Sequence, residues 1–175
     1  PEIPVVADIE HCGEDSVLVT ASIGNNGTTN RWYDAPAGGN LLATSKDYPS
    51  PYLTASTSYW VSSYNELTNC ESARTRVNVS INAVPGIPLV TDESICGPGN
   101  LTLNAVTGLN GTSNNWYDSP VNGNLLDTGI VFNTPYLSNT VSYWVSSIDN
   151  ATGCESGRTE VRAIINTIPA LPAAN

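Results

Sequence analysis

The chain has 175 residues, with 16 acidic against six basic side chains and a formal net charge of -10. So negative a chain repels phosphate backbones and anionic headgroups across any general surface, which argues against nucleic acid as a partner. No apolar run approaches the ~20 residues needed to cross a bilayer, so membrane insertion is not expected. The start, PEIPVV, has neither a charged n-region nor a hydrophobic h-region and reads as a piece cut from a longer exported protein.

The string NRWYDAP at residues 30–36 returns as NNWYDSP at 114–120. The step from Trp32 to Trp116, 84 positions, also carries Cys12 onto Cys96, Tyr59 onto Tyr143 and Cys70 onto Cys154. The two copies align without a gap, with close to half their positions identical, so the chain is a duplicated module: a first domain at 1–85 and a second at 86–175. Each lies near the lower size limit for a self-sufficient core.

In chain order, copy one predicts strands near 3–8, 16–23, 30–34, 40–45, 47–50, 57–64 and 72–82. The signal is alternation, as in SVLVTASI, TSYWVSSY and TRVNVSI, broken by Gly, Asn and Pro clusters. No helical period persists beyond two turns. Short strands at this spacing predict an all-β chain of two tandem immunoglobulin-like or fibronectin III-like sandwiches. Parity then assigns the faces: Tyr59 and Val61 point one way, Trp60 and Ser62 the other. Leu18, Trp32, Tyr59 and Val61 are the expected core; their equivalents are Thr102 or Leu103, Trp116, Tyr143 and Val145. Tyr59 follows Leu53 across a polar turn much as the tyrosine approaches strand F in fibronectin III domains, which makes Tyr59 and Tyr143 candidates for a tyrosine corner.

Two cysteines per copy suggest one disulfide per domain in an oxidising compartment, Cys12 with Cys70 and Cys96 with Cys154. Such a bond would stabilise a domain by roughly 4 kcal/mol. One tension is present: these positions tend toward opposite ends of a simple immunoglobulin topology, whereas a disulfide needs Cα atoms within about 7 Å. The duplication of both cysteines favours the intradomain pair. Between the copies Pro85, Gly86, Ile87 and Pro88 form a short connection, read as semi-rigid, and the tail IPALPAAN resembles the start of another linker in a longer array.

With CGEDSVLVTAS, WYDAPAGGNLLATS, SPYLTASTSYWVSS and NCESARTRVNVSI, and their partners CGPGNLTLNAV, WYDSPVNGNLLDTG, TPYLSNTVSYWVSS and GCESGRTEVRAII, the chain resembles the Ig-like modules of large secreted and surface proteins of Bacteroidetes. The resemblance covers both copies nearly end to end. It implies a cell-surface or secreted location, in adhesins or beside a type IX secretion sorting domain, with neighbouring domains of the same chain as partners. It implies no catalytic residue. Asp15, Ser16 and Val17 resemble a short O-glycosylation signal of such proteins, which copy two lacks. Five N-x-S/T strings, starting at Asn26, Asn78, Asn100, Asn110 and Asn150, matter only in a host that glycosylates asparagine.

Enzymatic chemistry finds little footing. The single histidine, His11, has Ile95 at its place in copy two, which argues against both a nucleophile triad and a repeated zinc site. No cofactor is expected, although calcium has weak candidates in Asp8, Asp34, Asp92 and Asp118, with Glu71 and Glu155 also acidic in both copies. These lack the spacing of a calcium loop. The remaining candidate is a ligand face of Tyr33, Trp60 and Arg74, with Tyr117, Trp144 and Arg158 in copy two, suited to a glycan or a surface protein. The alternative is that Arg74 stacks on Trp60 and merely covers it.

Overall fold

The structure is a computed structural model and describes residues 1–171; the last four residues of the tail read as a linker lie outside the described residues. The chain divides into two compact units, Pro1–Ala83 and Val84–Asn175. Unit one contains β1 (Val5–Val6), β2 (Ile9–Cys12), β3 (Leu18–Val19), β4 (Ala21–Ser22), β5 (Thr29–Tyr33), β6 (Leu41–Thr44), β7 (Tyr48–Pro49), β8 (Thr57–Asn65), β9 (Cys70–Glu71) and β10 (Thr75–Asn82). Unit two contains β11 (Leu89–Val90), β12 (Glu93–Cys96), β13 (Thr102–Val106), β14 (Ser113–Tyr117), β15 (Leu125–Thr128), β16 (Val131–Asn133), β17 (Val141–Ile148) and β18 (Thr159–Asn166). No helix is assigned among the described residues.

Each unit is a sandwich. In unit one the larger sheet runs β2-β10-β8-β5-β6, with β9 pairing β8, and faces the short pairs β1-β4 and β3-β7. Unit two repeats this as β12-β18-β17-β14-β15 against β11-β13-β16. The core lies between the layers. Trp32, Val61, Tyr59, Val77 and Val79 fill it from the large sheet, Val17, Val19 and Ala21 from the small one. Trp32 is fully buried, which is tolerable because its indole N–H donates to the Ser45 carbonyl at 3.1 Å; Trp116 donates to Gly129 at 2.8 Å. Tyr59 meets Tyr48 edge-on at 5.0 Å, and Tyr143 meets Phe132 at 4.9 Å, so ring packing holds both tyrosines in the core.

The predicted first strand, residues 3–8, is reduced to β1 at Val5–Val6, and a strand that was not predicted, β2 at Ile9–Cys12, follows it. β1 pairs antiparallel with β4 in the small sheet, and the chain then crosses to the large sheet, where β2 lies parallel to β10. Ile9 faces Val79 and Cys12 faces Asn82. Gly13 adopts φ 82° and donates its N–H to the Asn82 carbonyl, a left-handed turn that glycine makes without steric cost; Gly97 repeats it at φ 81° onto Asn166.

Leu18 is a second correction. It is 57 % exposed, whereas Val19 is fully buried in the core, so parity on this strand is one residue off the expected assignment. Hydrogen bonds fix the register: the Ser50 hydroxyl accepts from the Val17 N–H at 2.9 Å, and the Val17 carbonyl accepts from Ser50 N–H at 2.9 Å. In copy two the buried equivalent is Leu103, with Thr102 outside. Val19→Ala is expected to cost about 2 kcal/mol in urea unfolding through a core cavity, and Leu18→Ala less than about 0.5 kcal/mol. Equal losses would reject the register.

Candidate functional site

The residues chosen as a ligand face occupy neighbouring strands of the large sheet. Tyr33 ends β5 and faces Trp60 of β8 across the ladder; Tyr117 faces Trp144 in the same way. Arg74 sits just before β10, Arg158 just before β18. The expected stack of Arg74 on Trp60 does not form. The Arg74 guanidinium lies 3.3 Å from the centroid of the Tyr33 ring, and Arg158 covers Tyr117 at the same distance. Arg74 is anchored there by donating to the carbonyls of Ala35 and Gly38, each at 2.7 Å, and Arg158 donates to Ser119 at 2.7 Å. Both tyrosines are consequently buried, and only the half-buried Trp60 and Trp144 remain open on the solvent side.

The hydroxyl of Tyr33 reaches a carboxylate weighed above only as a calcium ligand. Glu71 on β9 accepts from the Tyr33 hydroxyl at 2.6 Å, from the Ser62 hydroxyl at 2.6 Å and from Arg31 at 2.9 Å. Arg31 in turn stacks on Tyr64, whose hydroxyl donates to Asn69 at 2.6 Å. In copy two Glu155 accepts from Tyr117 at 2.7 Å and from Ser146, while Asn115 stands where Arg31 stood. Ser62 lies on the side of β8 away from Tyr59 and Val61, as parity expects, and Ser62 and Ser146 are fully buried there by the groups that cover them. The signal that could have found this cluster was the exact recurrence of WVSS and CES, because a buried serine hydroxyl and the carboxylate that accepts from it must recur together.

The other acidic candidates hold backbone. Asp34 accepts from the N–H and side-chain amide of Asn40, both at 2.7 Å, closing the turn after β5; Asp118 does the same with Asn124 at 2.8 and 2.7 Å. Asp8 accepts twice from Asn78, and Asp92 accepts from the Arg162 N–H, each bond at 2.8 Å. These bonds lower the pKa of Asp8, Asp34 and Asp118 below the ordinary aspartate value. Among the described residues no group of three His, Cys, Asp or Glu side chains is placed to hold a metal ion.

The cysteines depart most from expectation. Cys70 and Cys96 are free, exposed thiols, so neither the Cys12–Cys70 nor the Cys96–Cys154 bond exists. Distance forbids them. Cys12 pairs with Asn82, where the chain leaves unit one, whereas Cys70 pairs with Asn65 at the opposite end of β8, roughly 35 Å away at the rise of an extended strand. Unit two is built alike: Cys96 faces Asn166, and Cys154 accepts from Asp149 just past the far end of β17. Cys12 and Cys154 are disulfide-bonded.

Comparison with known proteins agrees with this architecture. The profile of a family described as "Ig-like domain CHU_C associated" matches residues 1–83 and again 85–167. A search of the curated proteins gives no match. Among solved structures, the chicken CNTN1 FN1-FN3 domains are similar at 12% identity and a TM-score of 0.51, over 93% of this chain and 64% of that one. Murine CEACAM1b is similar at 10% identity and 0.46, over 94% and 100%. The three N-terminal domains of the bacteriophage RB49 outer capsid protein Hoc are similar at 12% and 0.45, over 93% and 67%.

Burial raises the pKa of Glu71, but the bonds from Ser62, Tyr33 and Arg31 outweigh it, so the carboxyl ends below the ordinary glutamate value. A depressed carboxyl contributes stability above its unfolded pKa, near 4.3, and loses it as pH falls through the lower folded value. Glu71→Gln is therefore expected to be less stable at pH 7 by about 1 kcal/mol, with the difference from wild type shrinking below about pH 4 in parallel urea titrations. A pH-independent difference would show that the charge of Glu71 is irrelevant.

Proposed function

Because the chain belongs to the Ig-like, CHU_C-associated family and carries two tandem copies of its domain, we propose that it is a non-catalytic tether. It would space or display other domains of a secreted or cell-surface protein, in an adhesin-type setting of the Bacteroidetes kind and with type IX export. One observation carries this reading: each module takes the chain in at one pole and releases it at the other. In unit one, Glu2 donates its N–H to Asn25 beside the Thr28–Tyr64 contact, while β10 leaves beyond Asn82 at the far end. Gly24 makes the incoming contact possible, since a Cβ there would lie 2.1 Å from the Glu2 carbonyl oxygen; Gly108 stands equally close to Gly86. Modules of this kind add length in series.

The terminal strands suit such a role. Tension on a module draws β2 toward the incoming pole and β10 toward the outgoing one, and because the two are parallel, their hydrogen bonds are sheared together rather than peeled singly. β12 and β18 repeat the arrangement. The acidic surface of the chain supports solubility in such a position.

The competing reading, a carbohydrate-binding accessory module of a polysaccharide-degrading enzyme, rests on Trp60 and Trp144, the rings that the arginines leave open. Tryptophan fluorescence across a glycan panel distinguishes the two. We expect no saturable change. A saturable change that Trp60→Ala with Trp144→Ala abolishes would replace the tether by a recognition module.

Pulling the chain from its termini provides the direct mechanical check. Gly13 donates to Asn82, so by alternation His11 also turns its N–H toward β10, and Ile95 does so in unit two. His11→Pro with Ile95→Pro removes a ladder donor from each terminal pair and should lower the unfolding force of both modules, whereas Glu10→Ala should not. An unchanged force in the proline variant counts against a tensile role.

A further inference from the structure

Three asparagines in the chain precede a glycine: Asn26, Asn110 and Asn122. All three are exposed, and all three hold a left-handed backbone, at φ 61°, 63° and 55°. An asparagine before glycine is chemically labile, because the next backbone nitrogen can attack the side-chain amide and glycine has no Cβ to obstruct the approach. The dipeptide is identical at the three places, so a difference in reactivity between them comes from the fold.

Two of the three glycine nitrogens are guarded. The Gly27 N–H donates to the Gly24 carbonyl at 3.0 Å, and the Gly111 N–H donates to the Gly108 carbonyl at 3.0 Å. Both turns lie close against a central strand: a Cβ on Gly27 would be 3.1 Å from that of Ser63, and one on Gly111 would be 3.0 Å from that of Ser147. The Asn26 carbonyl also accepts from the Asn65 side-chain amide at 2.7 Å. Either turn must give up its hydrogen bond before its glycine nitrogen can attack. Asn122 is placed differently. It stands in the loop between β14 and β15 that the bonds from Asn124 to Asp118 close, and the Gly123 N–H donates to no group among the described residues. Unit one has Gly38 at the corresponding position, so the feature belongs to unit two alone.

We propose that Asn122 is a self-modification site, converted without an enzyme to aspartate and isoaspartate. The Gly123 nitrogen, losing its proton to solvent base, attacks Cγ of Asn122. A bond from nitrogen to Cγ forms, the bond from Cγ to Nδ2 breaks, and the amide nitrogen leaves as ammonia. Water then opens the cyclic imide. Cleavage between nitrogen and Cγ yields aspartate, and cleavage between nitrogen and the original backbone carbonyl yields isoaspartate. The net change consumes water and releases ammonia, with no oxidant or reductant. Either product adds a carboxylate to the recess that Asn122 shares with Glu155 and Arg158. Arg158, which covers Tyr117, is the cation that lines the recess with it.

The test incubates the 175-residue chain in mildly alkaline buffer, native and in urea, and follows each site by peptide mass mapping and enzymatic isoaspartate methylation. In the native chain Asn122 is expected to convert about tenfold faster than Asn26 or Asn110, the factor that one hydrogen bond is worth. In urea, where no turn is held, the three should convert alike. Gly38→Asn writes the same dipeptide into the loop of unit one, before Gly39, whose N–H is equally unguarded, and at a position where a Cβ meets nothing within 4 Å. This variant should gain a second reactive site, with circular dichroism checking that it folds. Equal native rates at the three asparagines overturn the proposal. So does an Asn122 that persists in the native chain while the chain in urea converts, or a folded Gly38→Asn variant that is inert at the new site.

Discussion

The parallel pairing of β2 on β10 is the constraint from which the rest of each module follows. Between Val6 and Ile9 the chain leaves the small sheet and joins the large one, so the first strand contributes an edge to both layers. That crossing seals the sandwich beside Val79 and Ile81, and it brings Cys12 alongside the departing end of β10. It also separates the two ends of the module. With the chain received near Asn25 and released beyond Asn82, the domain has an incoming and an outgoing pole, and each cysteine belongs to one of them.

On the outer face of the large sheet a polar network takes the place that a binding site would use. The Tyr33 ring is covered by Arg74, and its hydroxyl is held by Glu71, which also collects Ser62 and Arg31. The carboxylate accepts from both hydroxyls and from the Arg31 Nη1, which ties β5, β8 and β9 together, while the Arg31 Nε is left without a partner. The second module retains Tyr117, Glu155, Ser146 and Arg158 but replaces the arginine at position 31 by Asn115. The ion pair is thus dispensable to the fold, whereas the tyrosine-glutamate-serine contact occurs in both copies.

Much of this was legible in the sequence. Alternation around Trp32 and Tyr59–Val61 placed the central strands, since a half-buried strand writes its two faces into its residues. Where three apolar residues run together, as at Val17–Val19, alternation is silent. Only the polar spacing of Leu101, Leu103 and Ala105 in the sister copy discloses which side is buried. The strand Ile9–Cys12 left no local mark, because a short edge strand paired in parallel is specified by a partner some 70 residues away. Arg74 reached Tyr33 rather than Trp60 because carbonyls of the loop at Ala35 and Gly38 hold its guanidinium, a geometry that strand parity does not encode. The cysteines were misassigned because counting them in pairs presumes that each module is closed on itself.

The separation of the poles within one module is the central claim, and a distance measures it directly. Spin labels on Cys70 and on Glu14→Cys, in a Cys96→Ser background, report the span from the incoming to the outgoing pole of unit one by pulsed electron paramagnetic resonance. The account predicts a distance of roughly 35 Å, the length of the strands between them. A distance below about 15 Å, as a Cys12–Cys70 bond would impose, would contradict it.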